Sequence, residues 1–436
     1  MGQNKLQSSN WAIPFFTIWV GQAFSLIGSG LVQFALVWWL TTTTGSATVL
    51  ATATLVAILP EVVLGPFTGA LVDRWNRRIV MMVADGFIAL ATLGLAVVYS
   101  MGAMQIWHVY VIMFLRSVGG SFHWPAMQAS TSLMVPEQHL SRVAGLNQTM
   151  QGALRIIAPP LGAVLLGVLP LHGIMGIDVT TAMLAIVPLL FVHIPQPKRS
   201  EAAQATGGGL ASVLGDVREG WRYIWSWPGM AMLGAMAAVL NFLFNPAFSL
   251  TPILVTQHFG GQAFELAWME SAWSVGMVVG GLTLGVWGGF RRKMLTSLMG
   301  LILQGVATLL IGLSPSSAFW LALGSMFATG FTNVLVNGPI FAMLQAKVAP
   351  EMQGRVFMLV ASVAGVMTPL GMAIAGPVAD ALGVQFWFVM AGVVCVLMGV
   401  AAFFVPALMN LDDTNGHVAS EATETALVGA VGAQAE

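Results

Sequence analysis

Apolar positions in this chain run together in long stretches, and short polar breaks separate them. A helix that crosses a bilayer needs about 20 mostly apolar residues, and with that ruler twelve segments stand out. Six fall in the first half, at 11–41, 46–72, 79–100, 107–133, 143–169 and 174–194. Six more follow at 231–256, 264–290, 294–313, 318–343, 356–382 and 385–408. The ten-residue alternation of a membrane β-barrel is absent. An all-α polytopic membrane protein is expected, with twelve transmembrane helices in two six-helix bundles. Its first apolar run far exceeds the h-region of a signal peptide, so no cleaved leader is expected.

Polar breaks divide the chain into an N-terminal bundle at 1–194, a linker at 195–228, a C-terminal bundle at 229–409 and a tail at 410–436. The linker opens with Pro195, Pro197, Lys198 and Arg199 and continues through Gly207-Gly208-Gly209. Its later part sets Leu214, Trp221, Ile224 and Trp225 among Asp216, Arg218, Glu219 and Arg222, the pattern of an amphipathic helix on a membrane surface. The tail is small, polar and acidic, as disordered segments are. Two strings recur in the two bundles. Pro136-Glu137 with Arg142-Val143 returns as Pro350-Glu351 with Arg355-Val356, an offset of 214 residues. Pro159-Pro160-Leu161-Gly162 is echoed by Thr368-Pro369-Leu370-Gly371. Parallel repeats of this kind place a substrate site between the halves, near the bilayer midplane.

Charge fixes an orientation. Fourteen of the sixteen Lys and Arg residues lie in alternate connections and on the flanking termini, all on one face; the other two, Arg116 and Arg155, lie inside spans. Cationic loops are retained in the cytoplasm, so both termini are expected there, in a plasma (cytoplasmic) membrane. Composition then excludes whole classes of function. The chain is 57% hydrophobic and 8% charged, against about 25% charged in a typical soluble domain. A net charge of −1 offers no basic field for nucleic acid. Cys395 is the lone cysteine, which excludes an intrachain disulfide and a paired-cysteine metal site. The Gly207 run lacks the Lys and Ser/Thr of a phosphate loop. Neither an enzyme nor a cofactor or metal is expected.

The most specific string is Gly69-Ala-Leu-Val-Asp73-Arg74-Trp-Asn76-Arg77-Arg78. It resembles the loop signature of the major facilitator superfamily, in which a Gly, an Asp four residues on and flanking basic residues frame a tight turn. Asn76 stands where the family usually has Gly, and Asn tolerates the left-handed backbone. Physically, Gly69 permits close helix contact, while Asp73, Arg74, Arg77 and Arg78 can form charge-assisted bonds that latch the halves; a purely topogenic basic loop is the plainer alternative. Asp85, near the inner end of the third span, is expected to join that latch. Arg116-Ser-Val-Gly-Gly120 resembles the family's fourth-helix motif, whose arginine is implicated in proton coupling. A structural ion pair is the other reading, since an arginine at this depth needs a partner or a wet cavity.

Glu61 and Arg155 share that depth. Glu61 can exchange protons or serve as fixed counter-ion to Arg116 or Arg155. His123, seven residues after Arg116, can extend a proton path or satisfy a core hydrogen bond. Ala158-Pro159-Pro160-Leu161-Gly162-Ala163 is similar to the helix-5 element of drug:proton antiporters, with alanines at two of its glycines. Membership of the superfamily implies that helices 1, 4, 7 and 10 line a cavity. Gln22 and Gln33 lie on the first, and Asn241 with Asn245 and Asn333 with Asn337, each pair four apart, share a helical face on the seventh and tenth. Interhelical bonding is the alternative for these amides.

Trp19-Val-Gly-Gln22, Trp38-Trp39-Leu40, Thr44-Gly45-Ser46, Phe122-His123-Trp124-Pro125-Ala126 and Gly354-Arg355-Val356-Phe357 resemble the macrolide efflux proteins, and the similarity covers all but linker and tail. It implies proton-driven export of macrolide-like or other lipophilic compounds by a monomer whose partners are substrate, protons and lipid. An exporter of an endogenous amphiphile such as a siderophore or lipid, or a non-transporting membrane receptor, would fit the same apolar cavity.

Overall fold

The computed structural model describes residues 11–192, 194, 221–222, 224–225, 227–348 and 350–411. The linker and tail expectations fall mainly outside these residues, as do the side chains of Asp73, Glu351 and Arg355. Twelve long helices occur among the described residues. The first six are α1 (Ala12–Thr44), α2 (Ala47–Arg74), α3 (Arg77–Ser100), α4 (Ile106–Met134), α5 (Glu137–Val168) and α6 (Leu171–Phe191). The second six are α7 (Pro228–Ser249), α8 (Ala263–Trp287), α9 (Lys293–Leu313), α10 (Phe319–Lys347), α11 (Pro350–Leu382) and α12 (Val384–Phe403). Eleven are long and apolar enough to cross a membrane. The other is α4, where Arg116, His123 and several Ser and Gly residues dilute the hydropathy.

Hydropathy places the helices but misses their polar extensions. Both α5 and α11 begin six residues before their apolar runs, at the repeated Pro-Glu pairs. Proline suits a helix start because its missing N–H would have no intrahelical partner there. At the far end of α7 the helix breaks after Ser249 and continues through a short turn at Thr251–Ile253 and a wide π turn at Leu254–His258. Between α1 and α2 the reversal takes two residues: Gly45, at φ 60°, ends α1, and Ser46 caps α2 by accepting from the Val49 N–H. Glycine meets the left-handed requirement without a steric penalty.

The helices form two six-membered bundles that meet where α2 packs on α11 and α5 on α8. The echoed strings occupy equivalent places. Gly162 of α5 faces Phe34 of α1, and Gly371 of α11 faces the Phe242 carbonyl and Pro246 of α7. The face carrying Arg74, Arg77, Arg78, Arg142, Arg291, Arg292, Lys293 and Lys347 is termed the basic end. Cores differ between the two ends. Away from the basic end, one buried cluster joins Phe34, Ala47, Leu50 and Ala163 of the first bundle to Leu243, Ala247, Ala267 and Ala375 of the second. Toward the basic end each bundle has its own core, Ile18, Val72, Met127 and Leu189 in one and Met294, Leu298, Met343 and Leu408 in the other. The bundles are therefore joined at one end and parted at the basic end.

Candidate functional site

The gap between bundles holds a cavity of about 840 Å3. Its walls reach toward the basic end at Met230, Met294 and Leu344, and are mostly apolar, with Phe34, Phe244, Phe248, Trp273 and Met326 among them. Gln33, Asn241, Asn245, Asn333 and Asn337 all line it. The amides are partly held within their own bundle. Asn245 Nδ2 donates to Asn241 Oδ1 at 3.0 Å and to Thr368 Oγ1 at 2.7 Å, and Asn337 Nδ2 donates to the Asn333 carbonyl at 2.9 Å. Polar groups few in number and fixed in direction, set in apolar walls, are the usual makeup of a small-molecule pocket. On α5, Pro159 lines the cavity, Pro160 sits beside it half-buried, and Gly162 lies against the Phe34 ring, where a Cβ would fall 2.8 Å from Cδ1.

Gln22 is a correction. It is fully buried away from the cavity lining, in a polar cluster at the centre of the first bundle. Gln22 Nε2 donates to Asp85 Oδ2 at 3.0 Å, Ser25 Oγ donates to Asp85 Oδ1 at 3.4 Å, and His123 Nε2 lies 2.7 Å from Gln22 Oε1 and 3.4 Å from Asp85 Oδ1. Asp85 is a correction for the same reason: α3 turns it into the bundle toward α1 and α4 instead of toward the basic loop.

A second buried cluster surrounds Arg116, 9% exposed. Its Nη1 meets Asp178 Oδ2 of α6 at 2.5 Å and also the Thr92 hydroxyl, and its Nη2 donates to the Ser29 carbonyl at 3.2 Å. Asp178, 1% exposed, further accepts from Ser29 Oγ at 3.1 Å. Four helices are thereby pinned through one ion pair, with both charges given hydrogen bonds, as burial demands. The counter-ion of Arg116 is Asp178, so the alternative of Glu61 in that part is corrected. Glu61 is exposed, not buried. It shares the face of α2 that carries Leu50 and Thr54 to the cavity, seven residues nearer the basic end. Arg155 is exposed and lines the cavity from α5.

At the basic loop Asn76 has φ −69°, not a left-handed backbone, and it serves as cap of α3: its side chain accepts from the Arg78 and Ile79 N–H groups. Extended backbone at the cap position explains why Asn replaces Gly without strain. Arg78 donates through Nε and Nη2 to the Leu189 and Leu190 carbonyls, closing the end of α6, while Arg77 Nη1 donates to the Ala129 carbonyl of α4 at 2.8 Å. These bonds tie the loop to its own bundle. Arg74 is exposed. A Cβ on Gly69 would meet nothing within 4 Å, so the close helix contact expected there is absent from this parted conformation.

Closure at the other end involves a residue that sequence reasoning passed over. Asp380 of α11 caps the start of α2 across the bundle boundary. It accepts from Ser46 Oγ at 2.9 Å, the Ala47 N–H at 2.7 Å and the Thr48 N–H at 3.0 Å. Gln257 donates to the Gly45 carbonyl nearby. Asp178 and Glu270, which lines the cavity from α8, were also passed over. The signal for both was present: an acid inside a predicted span, the same signal that singled out Glu61.

Two six-helix bundles around a central cavity, joined at one end and parted at the other, define a multi-pass membrane transporter. The sequence matches the Major Facilitator Superfamily over residues 18–253 and again over 230–428, and the chain belongs to that superfamily. It is 33% identical to macrolide efflux protein A of Streptococcus pyogenes over 404 residues, which is 93% of this chain and 98% of the relative. It is 28% identical to the multidrug efflux pump Tap of Mycolicibacterium fortuitum over 399 residues, 88% of this chain and 94% of the relative. The fold is similar to the crystal structure of a bacterial homolog of the human lysosomal transporter Spinster in an inward-facing, unoccupied conformation. That match has TM-score 0.68 and 13% identity and covers 92% of this chain and 98% of the other.

Proposed function

We propose that this chain exports bulky lipophilic compounds, macrolide-like drugs among them, in exchange for protons, by alternating access and without a cofactor. One observation carries the reading: a cavity of about 840 Å3 with apolar walls and a few fixed amides, between bundles that part at the basic end only. The efflux relatives support the substrate class. Retention of cationic loops in the cytoplasm supports a basic end that faces inward, so that the described conformation loads from the cytoplasm.

Proton exchange belongs in this reading to the His123–Asp85 pair, whose contact through Gln22 links α1, α3 and α4. Glu61 receives protons at the parted end, Arg116 holds the packing around that pair through Asp178, and Arg155 presents a charge to the cavity. In proteoliposomes, an imposed pH gradient is expected to drive erythromycin against its concentration gradient, and His123→Gln is expected to abolish the drive while the protein still reconstitutes. Flux indifferent to the gradient contradicts proton coupling.

A further inference from the structure

Glu270 and Arg155 are the only charged side chains on the cavity wall among the described residues. They come from opposite bundles, across the α5–α8 seam, where Ser271 Oγ donates to the Ile156 carbonyl at 3.1 Å and Ser274 Oγ donates to the Arg155 carbonyl at 3.5 Å. Among the described residues the Glu270 carboxylate takes no hydrogen bond and no ion pair, although the side chain is half-buried. Three other acids of the helices are held by partners: Asp85 by Gln22, Asp178 by Arg116, and Asp380 by Ser46, Ala47 and Thr48. The Asp73 side chain lies outside that comparison. A carboxylate left without a partner in apolar surroundings is expensive to keep. It therefore gains most from a ligand that brings a positive charge. Trp273 lies one turn along α8 and also lines the cavity, and an aromatic face attracts a cation directly.

We infer that Glu270 is the specificity-determining residue of the cavity, selecting lipophilic monocations, with Arg155 across the seam disfavouring a second positive charge. The inference rests on the exporter reading only in taking the cavity as the substrate's place. Charge selection then arises from one carboxylate and one guanidinium on an otherwise neutral wall. An apolar body fills the pocket through its aromatic and aliphatic lining, and its cationic centre lies at Glu270.

Tetraphenylphosphonium and tetraphenylborate, alike in shape and opposite in charge, test this by equilibrium dialysis with the purified full chain at fixed pH and no gradient. Wild type is expected to bind the cation more tightly than the anion. Glu270→Gln is expected to weaken the cation at least about tenfold, a loss of about 1.4 kcal/mol, and to leave the anion unchanged or tighter. Glu270→Asp is expected to keep most of the cation's affinity, and Arg155→Gln to weaken the anion alone. Anion binding by Glu270→Gln shows that the variant is folded. Cation binding unaffected by Glu270→Gln, or both ions lost together, overturns the inference. Because no gradient is imposed, these outcomes are independent of whether erythromycin flux is coupled to protons.

Discussion

The two bundles solve one packing problem by different chemistry. Lipid gives helices no hydrophobic reason to associate, so they are held by close van der Waals contact or by polar bonds. The first bundle uses bonds: Arg116 with Asp178, Thr92 and Ser29, and Asp85 with Gln22, Ser25 and His123. The second uses contact. Gly276 and Gly280 of α8 press on the backbone of Phe327 and Phe331 in α10, Gly330 presses back on the Trp273 carbonyl, and Gly305 and Gly392 bring α9 and α12 together. The offset of 214 residues that aligns the Pro-Glu pairs lays Arg116 on Gly330 and Asp178 on Gly392. Where one half holds a charge pair, its copy holds two glycines. The difference separates tasks: buried ion pairs are concentrated in the interior of the first bundle, while the interior of the second is packed on glycine and turns its carboxylate Glu270 to the cavity.

The largest expected effect breaks the charged side of this comparison. Asp178→Ala leaves Arg116 buried without a counter-ion and is expected to destabilise the chain by about 3 to 5 kcal/mol. Joint replacement, Arg116→Leu with Asp178→Leu, is expected to be milder than the single change; thermal unfolding in detergent measures both. On the glycine side, Gly330→Ala forces a methyl group onto the Trp273 carbonyl, and overpacking of this kind is expected to cost about 1 to 3 kcal/mol. The same substitution at Gly324, where a Cβ would meet nothing within 4 Å, is expected to leave thermal stability unchanged. The smallest effect concerns the joint between bundles. Asp380→Ala removes one cap, about 1 kcal/mol, and is expected to raise labelling of a cysteine introduced at Thr48 while overall stability changes little.

Helix number, the repetition of the Pro-Glu strings and the placement of cations at one end were legible in the sequence, because bilayer thickness and topogenic charge act on local segments. Arg116 was legible as a buried charge. Its partner was not, since Asp178 lies 62 residues further on and only tertiary packing chooses among the acids in other spans. Gln22 and Gln33 illustrate the same limit. They share a helix eleven residues apart, yet one faces the core of its own bundle and the other the cavity. Helical periodicity gives a residue's face without saying which neighbour covers it. Asp380 was hidden for a different reason: at the end of an apolar run it reads as an ordinary boundary residue, and its value lies in reaching the start of α2 across the bundle boundary.

The central claim is that the bundles rock about this cavity, with one end opening as the other closes. Spin-label pairs report it most directly, in a Cys395→Ser background, with one pair on Thr48 and Ala381 and another on Trp75 and Phe290. Pulsed dipolar spectroscopy is expected to show a short first distance and a long second one in the unliganded protein. Acidification or tetraphenylphosphonium is expected to shift both populations in opposite senses. Two distances that stay fixed under every condition, or that lengthen together, would contradict it.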